Sequence, residues 1–99
     1  MEPKYKTLYK IDPKNRWYVD MYYFIGYKPT NSTSAVYVAR GQNIAVQIPP
    51  DMEKLIDNPN QLFFSSEIAA YMQVKDLLQK ELESVNNVIR ELTLEGKNV

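Results

Sequence analysis

The sequence of 99 residues contains neither cysteine nor histidine. Without cysteine, the chain has no disulfides, no thiol chemistry and no thiolate metal ligands. The absence of histidine as well removes the usual zinc ligands, the Ser–His and Cys–His nucleophile pairs and the commonest general base. We therefore expect no metal and no cofactor, and we predict that the protein is not an enzyme.

Long hydrophobic runs are missing too. No apolar stretch approaches the ~20 residues of a membrane span, and Met1–Lys4 lead into alternating polar and aromatic residues rather than the apolar centre of a signal peptide. We expect a soluble, cytoplasmic protein that does not enter a membrane. The content of 44% hydrophobic and 24% charged residues is typical of a globular protein and predicts a single domain over residues 1–99.

Charges of the two signs are equal in number, with 12 basic and 12 acidic residues, but they are unevenly placed. Residues 1–50 have a surplus of four positive charges and residues 51–99 a surplus of four negative charges. The halves could attract each other within or between subunits, or the front half could bind an anionic partner.

The longest uninterrupted pattern runs from Ser65 to about Leu94, with no proline or glycine inside it. Successive steps of three and four residues select eight positions, of which seven are apolar: Ile68, Tyr71, Lys75, Leu78, Leu82, Val85, Ile89 and Leu92. This spacing predicts one helix over residues 65–94 with a heptad-like apolar stripe. Lys75, the one charged member, either sets the register from a buried position or extends past the stripe to water.

The predicted helix is longer than the domain that carries it. About 29 residues give a rod of roughly 43 Å, whereas a compact chain of this size is only some 30 Å across. The end of the stripe would be exposed unless a second copy or another protein covered it. We therefore predict a homo-oligomer, a dimer or larger, with a self-association interface of Leu78, Leu82, Val85, Ile89 and Leu92. The alternative is a helix that kinks near Asn86–Asn87 and folds back on its own sheet.

Period-two alternation predicts strands upstream of the helix, at residues 5–11 and 17–27. Two β-branched runs, 35–39 and 44–48, flank a short turn that contains Gly41 and predict a hairpin. Between the second strand and this hairpin, residues 28–34 are turn-forming and predict a polar loop. The four strands predict an antiparallel meander within residues 1–48.

Pro49–Pro50 ends the sheet, and the acidic residues that follow predict a short helix over 51–57. On such a helix Glu53 and Asp57 would share one face, which we interpret as a solvated surface rather than an acid/base or metal pair. The predicted fold is therefore α+β: a four-stranded antiparallel β-meander, a short helix and a long C-terminal amphipathic helix.

Residues 1–28 combine eight aromatic rings with six basic side chains. Exposed rings that stack on bases and cations that contact phosphates bind single-stranded nucleic acid. The residues that could form such a face, or a face for another partner, are Lys14, Arg16, Tyr18, Tyr22 and Lys28. The alternative is that many of these rings form the core and pair across strands. The net charge of zero also weighs against nucleic-acid binding, which is typical of strongly basic proteins.

Taken together, these patterns favour a non-enzymatic module that self-associates through its C-terminal helix. It would present its sheet or the 28–34 loop to a protein partner, as an assembly component or an inhibitor. Such combinations are common among accessory proteins of phages and mobile elements. The alternative function is single-stranded nucleic-acid binding by a basic, aromatic sheet face.

Overall fold

The structure, a computed structural model, describes residues 3–15 and 17–96. In chain order these form β1 (Thr7–Asp12), β2 (Tyr18–Lys28), β3 (Asn31–Ala39), β4 (Ala45–Ile48), α1 (Pro50–Glu53), β5 (Phe63–Phe64) and α2 (Glu67–Leu94). The predicted α+β fold is confirmed, with its antiparallel meander, its short helix and its long C-terminal helix.

The five strands form one sheet in the order β4-β3-β2-β1-β5. Neighbouring strands are antiparallel, so that Leu8 lies opposite Tyr22 and Tyr22 opposite Ala39. The fifth strand was not predicted from the sequence: Phe63 and Phe64 pair with Lys10 and Tyr9 at the free edge of β1. A strand of two residues is too short to show the alternation of apolar and polar side chains that predicts strands from sequence.

The prediction of a polar loop over residues 28–34 is wrong. Strand β3 begins at Asn31, so that only Pro29 and Thr30 connect it to β2, and Ser34 is buried. Two register shifts in β2, between Phe24 and Gly26 and between Tyr27 and Lys28, keep this hairpin paired to its end. Backbone pairing with β2 holds these polar residues in a strand although their side chains favour turns.

One side of the sheet, which we call the inner face, carries the larger part of the core. Its buried residues are Leu8, Tyr22, Ala35, Tyr37, Ala39 and Ile48, and Ile56 covers them from the segment after α1. The Tyr37 hydroxyl donates a hydrogen bond of 2.6 Å to the Tyr5 carbonyl oxygen. Burial, assisted by the nearby charge of Glu53, raises the pKa of Tyr37 to about 12.

Helix α1 is shorter than the predicted helix over 51–57 and ends at Glu53. Asp57 has a φ of 72°, and its carboxylate accepts hydrogen bonds from the Ser65 backbone nitrogen at 2.8 Å and the Ser65 hydroxyl at 2.5 Å. The prediction that Glu53 and Asp57 share a helix face is therefore wrong. Asp57 instead fixes the connection that leads into α2.

The opposite side of the sheet, which we call the helix face, packs against the first half of α2. Ala70 and Val74 are buried there against Ile11 and Phe64. The Ser66 hydroxyl caps the helix by accepting a hydrogen bond from the Ala69 backbone nitrogen at 3.2 Å. The helix predicted over residues 65–94 therefore begins at Glu67, directly after its N-cap.

The second half of α2 projects beyond the sheet. The indole nitrogen of Trp17, at the end of the β1–β2 hairpin, donates to the Glu81 carboxylate at 3.2 Å, and every residue from Leu78 to Gly96 is exposed. Gly96, with a φ of 71°, follows the end of the helix. The molecule measures 63 Å along its longest axis and 26 by 24 Å across, so the predicted projection of the helix is confirmed.

The alternative of a kinked helix does not occur. Helix α2 runs without interruption from Glu67 to Leu94, through Asn86 and Asn87, and the residues after Leu78 remain exposed rather than folded onto the strands. Within residues 3–15 and 17–96, no helix is long and apolar enough to cross a membrane.

Candidate self-association surface

The five residues predicted as a self-association interface all project from one continuous helix into solvent. Their exposed fractions are 48% for Leu78, 60% for Leu82, 55% for Val85, 56% for Ile89 and 42% for Leu92. We call these five residues the α2 stripe. Each exposes about half of an aliphatic side chain, and contiguous exposure of this kind marks contact surfaces.

The stripe continues into a shallow groove on the first half of α2. This groove has a volume of about 390 Å³ and is lined by Tyr71, Val74, Lys75, Leu78, Gln79 and Leu82. Val74 forms its floor because it is buried against the sheet, whereas Tyr71 is 46% exposed. One side of the helix therefore carries an apolar surface from the sheet to the tip.

The direction of this surface follows from the helical period. Ala70, Val74 and Glu81 point toward the sheet, since the first two are buried there and Glu81 contacts Trp17. At ~100° per residue, the middle of the α2 stripe lies about 60°, a sixth of a turn, away from them. On the side of the helix opposite the stripe lies Gln73, whose side-chain oxygen accepts a hydrogen bond from the Asn60 backbone nitrogen at 3.5 Å. The stripe therefore faces away from the 57–65 connection and toward β2.

Part of the helix face is left uncovered beside α2. Tyr23 is 41% exposed there, Met21, Val36 and Val38 are half-buried and Ala45 is exposed; their pairing places Tyr23 opposite Val38 and Val38 opposite Ala45. We call these five residues the open sheet patch. Sequence reasoning missed it, although the signal was present: both faces of β2 carry large apolar side chains, and one helix covers only part of a sheet.

Charged residues are few along the stripe. Lys75 is exposed at the rim of the groove, which leaves its ammonium group in water, as expected of a long cationic side chain. Lys80 forms an ion pair with Asp76 at 3.2 Å on the outer surface. The stripe between Leu78 and Leu92 is thus bordered mainly by uncharged side chains.

The structure brings together only part of the face predicted for nucleic acid. Tyr22 is only 3% exposed, and burial, with a contribution from Asp20, raises its pKa. The prediction that Tyr22 contacts a partner is therefore wrong, because the ring belongs to the inner-face core. Tyr18 is exposed and Lys28 half-buried, but they stand at opposite ends of β2, about 33 Å apart for an extended strand.

The other two residues of that predicted face are Lys14 and Arg16. Lys14 is exposed in the turn after β1, where its backbone nitrogen donates to the Asp12 carboxylate at 3.0 Å. Arg16 lies outside the described residues. Lys14 and Tyr18 therefore lie at the same end of the β1–β2 hairpin, whereas Lys28 lies at the far end of β2.

A second cavity, of about 450 Å³, lies between α2 and the connection before it. It is lined by Asp57, Pro59, Phe64, Ser65, Ala69, Met72 and Gln73. The Asp57 carboxylate is already bonded to Ser65, which leaves no free acid for chemistry there. Within the described part of the chain, no group of three or more acidic residues is placed to hold a metal ion.

Comparison of the chain with models of protein families, with curated proteins and with solved structures finds no match.

Proposed function

We propose that the protein is a non-enzymatic interaction module that self-associates through α2. The observation that carries this proposal is the α2 stripe itself: five aliphatic side chains on an unbroken helix, each 42–60% exposed, beyond the reach of their own sheet. Large aliphatic residues at heptad spacing typically contact a second helix.

The free energy available from the stripe is of the size that association requires. A large aliphatic side chain contributes roughly 1.5–3 kcal/mol on full burial, so a half-exposed one has about 1 kcal/mol left to gain. Five such residues on each of two chains give about 10 kcal/mol, against an association cost of ~4–15 kcal/mol. The stripe therefore supports a dimer, and any further apolar surface that the dimer covers strengthens it.

Self-association through α2 would leave other surfaces free to bind a protein partner. The outer edge of β4 and the segment that covers the inner face, with Leu55 44% exposed, lie away from the α2 stripe. A protein partner bound there would make the oligomer an assembly component or an inhibitor. We infer an intracellular location, where a chain without cysteine needs no oxidising environment.

The test is the native mass. Light scattering of the wild-type protein at micromolar concentration is expected to give at least twice the chain mass of 11.6 kDa. The double substitution Leu82→Glu with Ile89→Glu places four carboxylates in the dimer interface and is expected to reduce the mass to that of one chain, because paired helices would bury these charges.

A matched control is available on the opposite side of the same helix. Asn87→Glu with Leu94→Glu adds the same charges, also seven residues apart, at positions that are exposed and outside the stripe. This variant is expected to keep the wild-type mass. A wild-type protein that scatters as a single chain would refute the proposal, as would an equal loss of mass in both double variants.

A further inference from the structure

We propose that the second copy binds antiparallel, so that the tip of each α2 fills the groove beside the sheet of the other subunit. This inference rests on the proposed self-association and specifies its geometry. The occupant of the groove formed by Tyr71, Val74, Lys75 and Leu78 is then Ile89 and Leu92 of a second copy of this chain. A two-fold axis would pass near residues 83 and 84.

The size of the apolar surface favours this arrangement. The α2 stripe alone supplies a gain that only about balances the cost of association, so an arrangement that covers more apolar area is preferred. An antiparallel pair covers both grooves as well as both stripes, because each tip lies beside the first half of the other helix. The groove then gains an apolar occupant along its whole length.

The orientation of the stripe points to the same place. A second helix packed on the same sheet lies about 8–10 Å to the side of the first, which is a quarter turn from the direction of the sheet. The middle of the α2 stripe points within about 30° of that position, on the side of β2 and the open sheet patch. The partner's tip would therefore lie in the same layer as α2, above sheet residues that one helix leaves uncovered.

Val88 distinguishes the two possible directions. It lies on the side of the helix that carries Ala70 and Val74, at ~100° per residue, yet it is 53% exposed because its own sheet does not extend so far. In a parallel pair both tips would project past both sheets, and Val88 would stay exposed. In an antiparallel pair Val88 turns toward the sheet of the second copy.

Lys75 provides an electrostatic argument. In a parallel pair in register, Lys75 would lie next to Lys75 of the other copy, since equivalent heptad positions meet. In the antiparallel pair Lys75 lies beside Leu92 of the second copy, which has Arg90, Glu91 and Glu95 within one helical turn. The exposed ammonium group of Lys75 then lies beside an aliphatic side chain instead of directly against a like charge.

Side-chain volume is also better distributed. The antiparallel layers pair Leu78 with Ile89 and Leu82 with Val85, so each of these layers combines a leucine, which branches at Cγ, with a β-branched residue. A parallel pair in register would instead contain a layer of two valines between a layer of two leucines and a layer of two isoleucines. Layers of similar volume pack without gaps.

The absence of cysteine allows a direct test by disulfide formation. Lys75→Cys combined with Leu92→Cys is expected to form a covalent dimer under mild oxidation, visible on a non-reducing gel, because the two positions face each other across the interface. Within one chain they are about 25 Å apart along the helix, beyond the ~7 Å that a disulfide can span. Neither single variant is expected to cross-link.

The possible failures are distinguishable. Cross-linking of Leu92→Cys alone would show a parallel pair and overturn this inference while leaving self-association intact. A wild-type mass of two chains with no cross-linking in the double variant would overturn the proposed register in the same way. A wild-type mass of one chain would instead refute the proposed function itself.

Discussion

The two halves of α2 have the same secondary structure but different surroundings. In the first half, Ala70 and Val74 are buried against the sheet, and Ser66 caps the helix. In the second half, Val85, Val88 and Ile89 are more than half exposed on an equally regular helix. An apolar position in the first half therefore contributes to the folding of one subunit, whereas one in the second half contributes only where another molecule covers it.

The largest expected effect comes from the same substitution in each half. Val74→Asp buries an unpaired carboxylate between α2 and the sheet and should lower the free energy of unfolding by ~3 kcal/mol or more. Val85→Asp leaves the carboxylate in water and should change the free energy of unfolding of a single chain by less than ~0.5 kcal/mol. Urea denaturation measures both, in the Leu82→Glu, Ile89→Glu background so that association does not contribute. Equal losses would show that the second half is part of the subunit core.

A second prediction uses the core that α2 does not touch. Tyr37 on the inner face ionises at a pH of about 12, compared with 10.0 for an ordinary tyrosine, because burial disfavours the phenolate. Between these values the unfolded chain releases a proton that the folded chain keeps. The stabilisation is therefore complete below pH 10 and is lost as the pH rises toward 12.

The measurement compares the wild type with Tyr37→Phe. At neutral pH the variant lacks the hydrogen bond to the Tyr5 carbonyl and should be less stable by about 1 kcal/mol. From pH 9 to 12 the wild type should lose roughly 2 kcal/mol that the variant does not lose, so the order of stability reverses. Parallel pH curves for the two proteins would contradict the raised pKa. The Tyr37→Phe substitution should not alter the oligomeric mass at neutral pH.

The smallest expected effect again compares the two halves of the helix. Ser66→Ala removes the side chain that accepts from the Ala69 backbone nitrogen and should cost about 1 kcal/mol. Ser84→Ala makes the same change at an exposed interior position, where alanine is the better helix former, and should be neutral or slightly stabilising. Thermal unfolding of the two variants gives the difference. A loss at Ser84 as large as at Ser66 would contradict the assignment of the cap.

Much of the fold could be predicted because its signals are local. Heptad spacing from Ile68 to Leu92 is visible without knowledge of any contact, and so is the Gly41 turn of the β3–β4 hairpin. The projection of the helix followed from its length alone, since 28 residues exceed the width of a small domain.

The remaining features depend on contacts between distant residues. Phe63 and Phe64 form a strand only because β1 has a free edge, and residues 31–34 are extended only because β2 continues beside them. Tyr22 and Tyr23 are neighbours of the same type, and alternation places them on opposite faces without showing which face is covered. The burial of Tyr22 therefore required the positions of α1 and its following segment.

Trp17 stands at the point where α2 leaves the sheet and is the single tryptophan of the chain. Its indole nitrogen binds a side chain in the middle of the stripe region, so that any neighbour arriving there changes the polarity around the ring. The tryptophan fluorescence of the unlabelled protein, excited at wavelengths that the eight tyrosines do not absorb, is thus an optical signal confined to this junction. Dilution of the native chain in a cuvette can follow the meeting of two molecules in real time.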